Sequence, residues 1–141
     1  MRVLIADDDH DLREQLASLL ARRGYDTWEA SSGEEVVDWL HVGRELGLTP
    51  PDVVVLDVRM PCRSGVDLLG ELRRAGWHVP IVLMTAHVDA EVSDAAVVWG
   101  AAAVLEKPFS TDVLETVLLN VAHLSDRARC GPTVALEAPA W

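Results

Sequence analysis

The sequence is nearly devoid of lysine. Of 12 basic residues among 141, Lys107 is the sole lysine, and the arginines face 23 aspartates and glutamates. The net charge of −11 argues against direct nucleic-acid binding by this chain, because phosphate backbones attract basic surfaces. Cysteine is scarce too: Cys62 and Cys130 show no metal-ligand spacing and no disulfide framework, so both read as free thiols. No apolar run approaches the roughly 20 residues of a membrane helix. Asp7 to Asp9 interrupt any signal-peptide pattern, so a cytoplasmic protein with no membrane partner is expected. There is no GxGxxG or Walker loop to cradle a nucleotide and no fixed-period repeat to build a solenoid.

What the chain has in abundance is apolar side chains, half of all residues, enough for one domain with a sizeable core. They gather in short, nearly continuous runs: "VLIA" at 3 to 6, "VVVL" at 53 to 56, "IVLM" at 81 to 84 and "AAAVL" at 101 to 105. Uninterrupted runs of that length suit strands covered on both faces. "DTWEA" at 26 to 30 mixes polar with apolar residues and fits an edge strand.

Helical periodicity fills the gaps. Over 10 to 23, Leu12, Leu16, Leu19 and Leu20 share a face, while Arg13, Glu14 and Arg22 lie off it. Ser32 and Ser110 are placed to cap two further helices, and two more are expected at about 65 to 75 and 89 to 99. Pro50, Pro51 and Pro80 stop the chain ahead of strands. Strand and helix alternate five times, which predicts an α/β fold with a mostly parallel sheet and helices on both faces. The domain is expected over 1 to 125. From 126 to 141 periodicity fails, and a tail is expected there, packed by Trp141.

Asp7, Asp8 and Asp9, then Asp57, Thr85 and Lys107, follow directly on or just beyond the ends of four of these runs. A parallel sheet brings all such ends to one edge, where open α/β sheets bind their ligands. Converging carboxylates without imidazoles favour a hard divalent cation, Mg²⁺ over zinc. The cation would let the carboxylates coexist and could bind an oxygen of an incoming phosphoryl group. Asp9 is the best placed of the three to cap the first helix. His10, His41, His78 and His123 are scattered without ligand spacing, and Trp28, Trp39, Trp77 and Trp99 suit core or interface packing better than cofactor binding.

"LIADDD", "VVVLDVRMP" with the following "SGVDLL", "IVLMTA" and "LEKPF" resemble, in order, the motifs of the receiver domain of bacterial two-component response regulators. The resemblance spans residues 2 to about 124. It implies a flavodoxin-like five-stranded sheet in the order 2-1-3-4-5, and a phosphorylation-dependent signalling switch rather than an enzyme. Asp57 would accept a phosphoryl group from a sensor histidine kinase or histidine phosphotransfer protein. Mg²⁺ would be held by Asp7, Asp8, Asp57 and the backbone carbonyl of Arg59. Lys107 would offset phosphoryl charge, Thr85 would hydrogen-bond a phosphoryl oxygen, and the Lys107-Pro108 bond would be cis. Arg59 and His87 would flank the approach of the hydrolytic water. Partners would be chosen on the first helix, at Arg13 and Glu14, and on the loop after Lys107. The resemblance further implies a stand-alone regulator or phosphorelay intermediate with a downstream protein target, and it allows a homodimer.

Two departures stand out. Val104 replaces the Tyr or Phe that family members often carry three residues before the lysine, and "HVGRELGLTPP" is longer than usual. Two rival readings compete with the resemblance. A phosphatase of the haloacid dehalogenase type would explain the DxD in "DDD", but His10-Asp11 fits its following positions poorly. A receiver-like binding module that is never phosphorylated would have no use for intact Asp57, Thr85 and Lys107.

Overall fold

A computed structural model describes residues 1–130, with side chains through residue 123. The apolar runs become β1 (Arg2–Ala6), β3 (Val53–Asp57), β4 (Ile81–Thr85) and β5 (Ala103–Glu106), and "DTWEA" becomes β2 (Asp26–Ala30). All pair in parallel in the order β2-β1-β3-β4-β5, so β2 is an edge, as its mixed composition predicts. Every residue of β3 and β4 is buried, which explains why those runs carry no alternation.

Five helices close the faces. α1 (His10–Arg22) and α5 (Thr111–Cys130) cover one side, where Leu16, Leu20, Leu114 and Leu118 pack on Val3, Ile5, Val55 and Met84. α2 (Gly33–Glu45), α3 (Gly65–Arg74) and α4 (Ala90–Trp99) cover the other, where Val36, Leu40, Leu68, Leu69 and Val92 pack on Leu4, Val54, Leu56 and Leu83. A side-chain oxygen accepts a backbone N–H at the start of each: Asp9, Ser32, Ser64, Asp89 and Ser110. Caps of this kind contribute about 1 kcal/mol each.

Two expected boundaries move. The run read as a strand from 101 begins at Ala103, because Ala101 N–H returns to the Ala96 carbonyl behind the left-handed Gly100 cap and closes α4. α5 continues to Cys130, past the expected start of the tail at 126. Trp141 and the rest of 131–141 lie outside the described residues, as does the side chain of Cys130; Cys62 is a free, exposed thiol. Among the described residues, no helix is long and apolar enough to cross a membrane.

The tryptophans among the described residues serve packing. Trp28 stacks on Trp39 with centroids 4.5 Å apart, and the Arg2 guanidinium covers Trp28 at 4.3 Å. Trp99 lies so close to α3 that a Cβ on Gly70 would sit 3.2 Å from its ring. Beside it the half-buried Arg73 donates to four carbonyls, those of Trp77, Val79, Trp99 and Gly100, at 2.9 to 3.2 Å. One side chain thereby ties together the ends of α3 and α4 and the chain entering β4.

Candidate functional site

Strand register assembles the site. Ala6 lies beside Leu56, Asp57 beside Met84 and Thr85 beside Glu106, so Asp7, Asp57, Thr85 and Lys107 reach the same edge from four adjacent strands. β1 and β3 leave this edge toward opposite sides of the sheet, and the gap between their loops is the ligand position of open α/β sheets. Asp7 is fully buried: one carboxylate oxygen accepts the Asp9 N–H at 3.0 Å, the other the Lys107 ammonium at 3.0 Å. The same ammonium is 3.4 Å from Asp57 Oδ1.

Burial, then the hydrogen bond and charge of neighbouring Asp7, push the Asp57 carboxyl up to about 6, against the opposing pull of Lys107 and of the Arg59 N–H. That N–H donates to Asp57 Oδ1 at 3.3 Å. Asp8 is exposed, and Asp7, Asp8 and Asp57 each offer a carboxylate oxygen within 4.8 Å of the others. The donor set is all oxygen and all anionic, and one ammonium is too little charge to offset three carboxylates. A hard divalent cation fits it.

Thr85 is buried, and its hydroxyl is engaged within its own loop: it donates to the His87 carbonyl at 3.0 Å and accepts the His87 N–H at 3.3 Å. A cleft of about 480 Å³ opens over the site, lined by Asp8, Arg59, Met60, Thr85, His87 and Glu91 among others. Arg59 and His87 thus both line the cleft, and both are exposed. Asp9 caps α1 through the Leu12 N–H and stands outside the carboxylate cluster. The Lys107-Pro108 peptide is cis. Val104 is partly buried against the core on the α2–α3–α4 side. The long "HVGRELGLTPP" segment leads into the start of β3, at the opposite edge of the sheet.

One expectation is corrected here. Arg13 is not a free surface charge available to partners: its side chain is only 12% exposed, and it donates to the Asp7 carbonyl at 2.8 Å and to Glu29 at 3.1 Å. Helical periodicity places Arg13 off the apolar face, and a helical wheel does not reveal that β2 lies on that side. Glu14 is exposed as expected. A residue overlooked in the sequence is Gly65, where a Cβ would fall 2.4 Å from the backbone oxygen of Asp57. The glycine lets α3 begin in contact with the strand end that carries the acidic pocket.

The family model of the response regulator receiver domain matches residues 3–119. The chain belongs to that family. This receiver domain is 35% identical over 127 residues to the transcriptional regulatory protein PdtaR of Mycobacterium tuberculosis, covering 89% of this chain and 58% of that protein. It is 36% identical over 129 residues to the response regulator MprA of Mycobacterium avium, covering 92% of this chain and 53% of that one. Regulatory protein AtoC of Escherichia coli is 33% identical over 123 residues, 87% of this chain and 25% of AtoC, so the receiver domain spans only part of the relatives it matches. Among solved structures, a receiver domain protein from Clostridium thermocellum superposes with a TM-score of 0.78 at 27% identity, covering 90% of this chain and 98% of that one. The receiver domain of the Francisella response regulator 1452 does so with 0.72 at 30% identity and the same coverage. The fold class is therefore the flavodoxin-like one expected. Receiver domains are switches of two-component systems paired with histidine kinases, not turnover enzymes, and they typically bind Mg²⁺ at an acidic pocket.

Proposed function

We propose that this receiver domain accepts a phosphoryl group on Asp57 from the phosphohistidine of a sensor histidine kinase or phosphotransfer protein, and that the modified state is its signal. The observation that carries the reading is Asp57 itself, buried at the end of the central strand with an ammonium at 3.4 Å and two further carboxylates around it. A carboxylate oxygen of Asp57 forms the new bond to phosphorus as the P–N bond to the donor imidazole breaks, and the imidazole leaves with the electron pair. Lys107 neutralises charge on the phosphoryl oxygens, and the Arg59 N–H orients the carboxylate. Asp7, Asp8, Asp57 and the carbonyl of Arg59 would hold Mg²⁺, which when bound supplies positive charge to carboxylates and phosphoryl oxygens alike.

Thr85 reports the product. To donate to a phosphoryl oxygen its hydroxyl gives up the His87 carbonyl, so modification of Asp57 is coupled to the loop that starts α4. The phosphorylated state ends when water attacks the acyl phosphate opposite Asp57, past Arg59 and His87. We place this cycle in the cytoplasm, where sensor kinases present their phosphohistidines.

Incubation with acetyl phosphate and Mg²⁺ should add one phosphoryl group by intact mass, and Asp57→Asn should add none. An Asp57→Asn variant labelled as fully as wild type would sink the assignment.

A further inference from the structure

Arg13, whose side chain is only 12% exposed, donates to a backbone carbonyl, that of Asp7. An arginine so placed has few surroundings that justify it. Its Nε–H is held by Glu29 at the end of β2, and one Nη lies 2.9 Å from His10 Nδ1 in the first turn of α1. The planar fork therefore joins three pieces of chain, β1, β2 and α1, at the point where β1 becomes α1. Asp8 sits inside that turn. Before it, Asp7 is pinned through its N–H to the Ala30 carbonyl and through its own carbonyl to Arg13. After it, Asp9 is pinned through its N–H to Asp7 Oδ1 and through its carboxylate to the Leu12 N–H. Among the described residues the exposed Asp8 carboxylate makes no such contact of its own, so its aim is set by how firmly the two flanking residues are held.

We infer that Arg13 is a positioning residue for cation binding: by fixing the Asp7 carbonyl it holds Asp7 and Asp8 in the geometry that receives a divalent ion. The inference rests on the proposed metal-binding role of Asp7, Asp8 and Asp57. It makes a prediction whose sign separates geometry from charge. Through space, a guanidinium beside the pocket repels Mg²⁺, so deleting it would tighten binding. If Arg13 acts by positioning, deleting it weakens binding.

Calorimetric titration of the metal-free protein with MgCl₂ tests this. Arg13→Met should weaken Mg²⁺ about tenfold, the usual scale for losing a partner of a metal ligand. Arg13→Lys, which keeps the charge but cannot hold both the Asp7 carbonyl and Glu29, should fall between that variant and wild type. Arg73→Met serves as the control, since it removes another arginine that donates to backbone carbonyls, at the opposite edge of the sheet; its urea midpoint should fall while its Mg²⁺ affinity stays at the wild-type value. Unchanged or tighter binding in Arg13→Met overturns the inference, as does equal weakening in Arg73→Met. Should Arg13→Met fail to fold, wild-type affinity in Arg13→Lys overturns it and weaker affinity supports it. Asp8→Asn separates the two levels: if it binds Mg²⁺ as wild type does, the metal reading itself fails and the role of Arg13 falls with it.

Discussion

Replacing Asp57 with asparagine is expected to stabilise the metal-free protein at neutral pH while abolishing its proposed chemistry. Burial and the neighbouring Asp7 raise the Asp57 carboxyl from its ordinary 3.8 to about 6 in the folded state. Between about pH 4 and pH 6 the folded chain thus keeps a proton that the unfolded chain has released. Stability falls as pH rises through that window, and the full cost is present above it. The difference between 3.8 and about 6 corresponds to about 3 kcal/mol. Asparagine also forfeits the 3.4 Å contact with Lys107, which leaves a net gain of about 1 to 2 kcal/mol. Urea melts in EDTA at several pH values from 5 to 8 measure it. At pH 7.5 the variant's midpoint should lie about 0.5 to 1 M above wild type, and its stability should be flatter with pH. Adding Mg²⁺ should stabilise wild type by mass action and close the gap. A variant no more stable than wild type at pH 7.5 without metal, or one with the same slope against pH, would refute the reasoning.

Lys107→Ala leaves the buried Asp7 without its 3.0 Å ammonium, and acetyl phosphate labelling should slow about a hundredfold; labelling at the wild-type rate would remove Lys107 from the chemistry, and arginine should restore it only in part. Arg59 and His87 line the cleft, so the phosphorylated form of Arg59→Asn or His87→Ala should decay faster than wild type, whereas slower decay in both would mean that these side chains assist hydrolysis. Gly65→Ala places a methyl 2.4 Å from the Asp57 carbonyl and should lower stability by about 2 to 3 kcal/mol in a urea melt; an unchanged midpoint would show that α3 yields freely.

The sheet was legible because strands buried on both faces, as β1, β3 and β4 are over their apolar runs, must be apolar throughout, and each of the four apolar runs ends beside a residue with chemistry. The caps were legible for a similar reason, since Asp9, Ser32 and Ser110 stand directly before apolar periodicity. What escaped were contacts that cross elements. Ala101 and Ala102 look like strand because small apolar side chains are equally suited to the turn that closes α4. Arg13 and Arg73 look like solvated charges because their carbonyl acceptors are backbone atoms, which leave no mark on the identity of the residues that carry them. The stacking of Trp28 on Trp39 depends on how α2 lies against β2, which no local pattern encodes.

The Arg73 clamp gives α4 a fulcrum. Its last turn is tied at the Trp99 and Gly100 carbonyls, while its first turn begins in the loop that Thr85 holds through His87. A ten-residue helix is about 15 Å long. A tilt of about 10° about the tied end would carry the start of such a helix through about 2.6 Å, yet a residue three positions from the tie through less than about 1 Å. The exposed Val97 and Val98 lie near the tie, and Asp89 to Val92 at the far end. A partner gripping the two valines would feel almost the same surface in either state, whereas one gripping the start of α4 would feel the lever at full throw.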